Sequence, residues 1–126
     1  MDPKFFPQMF NLAHQAGLAA VEKLNVVPMV VSEHADPFDD ASPVRRQWFV
    51  ADGPCGFAWV VVRPGNSPFA NWLKKEKGCR NGYGGGVHYW ISDFNQSMQK
   101  KETYADAFAG VIRQFGINAY ATSRMD

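Results

Sequence analysis

Hydrophobic and polar positions along this chain change period several times, and each change marks an element. Phe6, Met9, Ala13, Ala16, Ala20 and Leu24 recur at three- and four-residue steps, which predicts one buried face of an amphipathic helix. Asp2-Pro3 is a start signal, a capping acceptor followed by proline. Pro7 removes a backbone donor from the first turn of a helix begun at Pro3. The alternative start is therefore near Phe6, with an extended arm before it. Asn25 is the expected stop. Residues 28–32 (PMVVS) predict a short strand from their β-branched content. Residues 34–46 (HADPFDDASPVRR) carry prolines, aspartates and no periodicity, and predict one long loop. Residues 47–51 (QWFVA) and 56–62 (GFAWVVV) predict strands. The intervening turn composition, ADGPC, predicts that these two pair as an antiparallel hairpin. The second strand is apolar at nearly every position; such a strand is covered on both faces or sits centrally in its sheet, and it is expected at the centre.

Ser67-Pro68 repeats the cap-plus-proline signal. It predicts a helix over residues 68–77 that buries Phe69, Trp72 and Leu73, with Gly78 ending it in a left-handed conformation. Residues 79–86 (CRNGYGGG) read as loop and 87–92 (VHYWIS) as strand. In that strand His88 shares a face with Trp90, and Tyr89 points the opposite way. One face is expected to be buried against a helix; the other, if exposed, is an aromatic patch for a partner or a subunit interface. A last helix is expected over residues 97–115, with Tyr104, Phe108, Val111, Ile112 and Phe115 on one stripe and Gly116 ending it. A terminal strand (INAYAT) follows over residues 117–122. The order α-β-β-β-α-β-α-β predicts an α+β fold in one domain, residues 1–126. Its expected form is a single five-stranded, mostly antiparallel sheet with three helices packed on it. The last strand-helix-strand unit is a candidate right-handed crossover with its two strands parallel.

The runs CGFAWVVVRPGNSPFANWLKK, GGVHYWISDFNQSMQKKETYADAFAGVIRQFGINAYATSRMD and MDPKFF resemble small proteins of unknown function encoded by bacteriophages. The likeness spans nearly the whole chain. It implies a phage origin and residence in the host cytoplasm. It brings no activity with it, so no functional residue is carried over.

Composition narrows the classes of function. The 126 residues are 46% hydrophobic and 20% charged, the balance of a folded domain able to bury a core without metal or disulfide. A formal net charge of +1 gives no global field for coating DNA, so any anion site has to come from local patches. Cys55 and Cys79 form no Cys-x-x-Cys pair and are too few for a secreted framework, which points to reduced thiols and a cytoplasmic protein. No apolar run reaches the ~18 residues of a membrane span, and the acidic start MDPKFFPQMF is not a signal peptide. No membrane partner and no cofactor are expected.

Residues 74–86 (KKEKGCRNGYGGG) are the leading candidate site. Lys74, Lys77 and Arg80 precede Gly84, Gly85 and Gly86, whose backbone freedom lets successive N–H groups face one anion. Phosphate or a nucleic-acid backbone is the natural guest, with Tyr83 available to stack. No Gly-Lys-Ser/Thr follows, and the glycines precede a strand, so neither nucleotide-loop fingerprint applies. The competing reading is a lysine-rich helix end, favoured by the helix dipole, followed by a tight turn. The runner-up chemistry is a Cys-His-Asp arrangement of Cys55, His88 and Asp93 or Asp52. Against it, Cys55 enters a strand rather than a helix N-terminus, and free cysteine is usually inert packing. His14, His34 and His88 are scattered, and the acidic loop around Asp36, Asp39 and Asp40 fits no calcium loop, so no metal site is expected. Arg45-Arg46 and Lys100-Lys101 read as ordinary basic surface. A groove would form if the fold brought them onto the face carrying Arg80. Phe57, Trp59, Trp72 and Trp90 read as core unless one strand face is open. The expected function is a non-catalytic accessory or interaction protein that binds an anionic partner, with a small homo-oligomer as its expected state. A cysteine-dependent enzyme and a virion assembly protein are the alternatives.

Overall fold

Capping residues decide the helix boundaries. The computed structural model describes residues 2–25, 29–34, 44–50 and 53–126, with side chains over 2–25 and 53–126. Asp2 caps a short 3₁₀ turn, Pro3–Phe5, by accepting from the Lys4 amide, and α1 (Phe6–Glu22) begins directly after it with Pro7 in its first turn. The two expected starts are thus both used: the tighter turn takes Pro3, and the α-helix takes Pro7 where no donor is needed. α2 (Pro68–Lys77) has the Ser67 hydroxyl accepting from the Ala70 amide at one end. Gly78, at φ 68°, closes the other. α3 (Met98–Gln114) is capped by Ser97, and Gly116 turns the chain out at φ 82°.

Six strands form two sheets among the described residues, which corrects the expected single five-stranded sheet. β1 (Met29–His34) and β2 (Val44–Val50) pair antiparallel as a separate two-stranded sheet. β3 (Gly56–Arg63), β4 (Arg80–Asn81), β5 (Val87–Trp90) and β6 (Asn118–Met125) form a four-stranded antiparallel sheet in the order β4-β5-β3-β6. The predicted hairpin between β2 and β3 does not form, because both edges of β3 are already taken by β5 and β6. β3 therefore does lie inside its sheet. β5 and β6 run parallel to each other with β3 between them, joined through α3. The expected loop at 34–46 is shorter at both flanks, since His34 ends β1 and residues 44–46 begin β2; residues 35–43 lie outside the described residues. β4 was not expected at all; two residues carry too little pattern to register.

One face of the four-stranded sheet is the core. Ala58, Val60 and Val62 of β3, Val87 of β5 and Ala119 of β6 meet Phe6, Met9, Phe10 and Ala13 of α1, Phe69, Ala70 and Leu73 of α2, and Tyr104, Phe108 and Ile112 of α3, all buried. The buried stripe of α1 includes Phe10 and Gly17 rather than Ala20 and Leu24. α3 is rotated so that Phe115 is exposed, whereas Lys101 is buried at 5% exposure, its Nζ donating to the Gly56 carbonyl at 3.4 Å. Lys101 is therefore a buried cation and not the surface lysine expected. No helix among the described residues is long and apolar enough to cross a membrane.

Candidate functional site

Among the described residues, no helix packs on the opposite face of the same sheet. Strand alternation and the observed register place Phe57, Trp59, Val61 and Arg63 of β3 on it. Beside them stand His88 and Trp90 of β5, Arg80 of β4, and Asn118, Tyr120, Thr122 and Arg124 of β6. Trp59 lies directly opposite Trp90, and their rings stack with centroids 4.3 Å apart and planes 26° apart. His88 stacks on Trp59 at 6.0 Å, and Phe57 meets Trp90 edge-on at 6.2 Å. Aromatic pairs of this kind stabilise a sheet by lateral contact along the strands rather than by burial under another layer. This is why β3 can be apolar on both faces while only one of them is roofed. Trp90 remains 45% exposed and Tyr120 38%. Val61, between them, is sealed by its neighbours at 2%.

Cations are set beside these rings. The Arg63 guanidinium lies 5.7 Å from the Tyr120 ring centroid, and its Nη2 donates to the Gly84 carbonyl at 2.7 Å. Its Nε is buried without an acceptor. The Arg124 guanidinium sits 5.4 Å from the Phe57 centroid, with Lys101 Nζ also near that ring at 5.6 Å. Arg80 is directly across from His88. No strand residue on this face carries a carboxylate.

The glycine-rich segment joins this face at its rim. β4 and β5 are a hairpin, and the glycines make its turn. The Gly82 amide donates to the Gly86 carbonyl at 3.0 Å, and the Gly85 amide to the Gly82 carbonyl at 3.2 Å. Two amides that could have faced an anion are therefore occupied within the turn, and Gly84 offers its carbonyl to Arg63. Glycine is needed at position 86 for a packing reason as well. Its φ is 77°, and a Cβ there would lie 2.7 Å from Val61 Cγ1. Tyr83, at the tip, is fully exposed. Of the expected cations, only Arg80 reaches the aromatic face. Lys77 folds back over the Phe10 ring at 4.4 Å and the Trp72 ring at 5.8 Å, and Lys74 lies on α2.

The Cys-His-Asp alternative is not assembled. His88 is opposite Val61, six residues along the strand from Cys55, a separation of about 20 Å at the rise of an extended chain. Cys55 is exposed and bridges Ser97 at the far end of the sheet. Asp93 follows β5 toward that end too, away from His88. Asp52, Asp36, Asp39 and Asp40 lie outside the described residues, as do the side chains of Arg45 and Arg46. Among the described residues no three His, Cys, Asp or Glu converge as metal ligands.

A hydroxyl chain runs through the core. Tyr104, fully buried, is hydrogen-bonded to His14 Nδ1 at 2.5 Å and to Tyr89. Burial is the main cause that raises the Tyr104 phenol, reinforced by Tyr89 and by the Asp93 charge; burial likewise raises Tyr89. Both stay neutral at ordinary pH, which suits them to holding α1, α3 and β5 together rather than to proton transfer. Burial also pushes the Cys79 thiol up to about 11, against a smaller opposing effect of Lys77. Iodoacetamide at pH 8 should therefore label Cys55 quickly and leave Cys79 largely unmodified, measured by mass spectrometry of the peptides. Equal labelling would show that Cys79 is not shielded as described.

Comparison with family models, with curated proteins and with solved structures finds no match to this chain. What the site does has to be read from its own geometry. The signal for it was present in the alternation Phe57, Trp59 and His88, Trp90. Only the register between strands turns those pairs into one surface.

Proposed function

We propose that this protein is a non-catalytic binding module that holds an anionic partner on the outer face of its four-stranded sheet, with the β4–β5 hairpin as a basic rim. The observation that supports it is a half-open ring cluster, Trp59, Trp90 and Tyr120, flanked by Arg63, Arg80 and Arg124 with no carboxylate on the same strand face. A ring face holds a guanidinium in place without taking its N–H donors, although Arg63 also commits its Nη2 to the Gly84 carbonyl. A closed apolar patch would instead suit burial against another protein, where charge is depleted.

Binding is expected to depend on Arg80 and Arg124 and hardly at all on Lys77, whose ammonium is spent on the Phe10 and Trp72 rings. Arg80→Ala and Arg124→Ala should each weaken retention on phosphocellulose by about tenfold in affinity, the loss of one charge-assisted contact. Lys77→Ala should elute with the unaltered protein. Unchanged retention of the double arginine variant would reject this face as the binding surface.

A further inference from the structure

We propose that the anionic partner is single-stranded nucleic acid, with unpaired bases stacking on Trp90 and Tyr120 while Arg63, Arg80 and Arg124 take the phosphates. This rests on the binding surface proposed above and adds the chemistry of its occupant. A polyanion without rings, such as polyphosphate, needs only the cations and gives no use to open aromatic surface. A nucleotide repeat needs both, a planar apolar ring and a charge a few ångströms away.

That pairing is what the face repeats. Tyr120 stands next to Arg63 at 5.7 Å, Phe57 next to Arg124 at 5.4 Å, and His88 is paired across the strands with Arg80. Trp90 is the most exposed ring on the platform, and Trp59 and Phe57 brace it from two sides. A braced ring loses little freedom when a base stacks on it, and stacking tolerates any base because each has a π-face. Some RNA-binding domains stack two or three splayed bases on aromatic rings of a four-stranded sheet in this manner. Duplex is a poor fit, since its bases are already stacked on one another and unavailable to a sheet surface. An acidic polypeptide would satisfy the arginines but not the rings. Stacking does not distinguish one base from another, so weak sequence preference is expected.

The test is titration of intrinsic tryptophan fluorescence with short oligothymidylate, with the same oligonucleotide annealed to its complement, with inorganic polyphosphate and with polyglutamate. Saturable quenching by the single strand is expected, with a slope of log affinity against log salt of about −2, from roughly 0.7 per phosphate neutralised by three arginines. Trp90→Ala should weaken oligothymidylate binding about tenfold, with Trp90→Phe intermediate. Trp90→Ala should still fold cooperatively, since it loses only lateral ring contacts, and a cooperative thermal transition for both variants separates loss of stacking from loss of fold. If polyphosphate and oligothymidylate bind alike and Trp90→Ala weakens neither, the occupant is a simple polyanion and only the nucleic-acid assignment falls. Preference for duplex or for polyglutamate would overturn it in the same way. If no polyanion binds, both the assignment and the binding surface fall together.

Discussion

Phe108→Ala should lower the free energy of unfolding by about 3–5 kcal/mol, the range for truncating a fully buried phenylalanine. Phe108 is inaccessible to solvent and touches rings from three directions: Phe10 at 5.1 Å, Tyr89 at 5.2 Å and Tyr104 at 5.9 Å. It stands where α3 meets both α1 and the sheet, so the neighbours can relax into the space only by shifting one layer against another. A loss of this size is a large fraction of the total stability of an ordinary domain. Urea unfolding followed by circular dichroism measures it. A cost below about 1 kcal/mol, within the range of exposed positions, would mean that Phe108 is not at the junction of the layers. The same measurement on Trp90→Ala is the matched control. Tyr89 and Trp90 are adjacent in sequence, yet Tyr89 faces the core and Trp90 faces out, so Trp90→Ala should cost much less, about 1 kcal/mol for a lost lateral ring pair.

Two helix glycines should respond to alanine with opposite signs. Gly110 lies within α3, and a Cβ there would find only Arg113 Nη2, at 3.7 Å. Gly110→Ala should stabilise the protein by about 0.5–1 kcal/mol, the helix-propensity gain. Gly17 in α1 has the same propensity to gain, but a Cβ there would lie 2.5 Å from Tyr104 Cδ2. That ring cannot swing aside, because its hydroxyl is tied to His14 and Tyr89 and its faces are packed on Phe94 and Phe108. Overpacking costs about 1–3 kcal/mol, and displacing the ring adds about 1 kcal/mol for each hydrogen bond stretched. Gly17→Ala should therefore destabilise by about 2 kcal/mol. Thermal midpoints of the two variants that moved together would show that α1 and α3 do not approach at Gly17.

Much of the local structure was legible in the chain because short-range chemistry decides it. Ser67-Pro68 and Gly78 bound α2 at both ends as read, since capping and left-handed backbone depend on residues within one turn. Gly116 likewise ends the last helix region. Phe10, Gly17 and Lys101 were misjudged for a common reason. A period of 3.6 leaves several registers for a helix face, and the partner helix selects among them. Gly17 is on the buried face of α1 because the Tyr104 ring lies against it. Lys101 looked solvated until its ammonium was found on the Gly56 carbonyl.

The candidate site divides the same way. Arg80, Tyr83 and the glycines were visible as a basic, flexible stretch, and the structure turns most of that stretch into a hairpin turn that consumes its own amides. Phe57 and Trp59 were visible as apolar strand positions and were expected to be covered. Residue type cannot distinguish a ring roofed by a helix from a ring braced by its neighbours, because both exclude water from its faces. By itself the sequence determined the α+β class, the helix ends and the apolar character of β3, all set by interactions within a few residues. Only the tertiary structure decided that β2 pairs with β1, that the C-terminal strand takes the second edge of β3, and that the described helices all pack on one side of the resulting sheet, because strand pairing depends on which distant edge remains free.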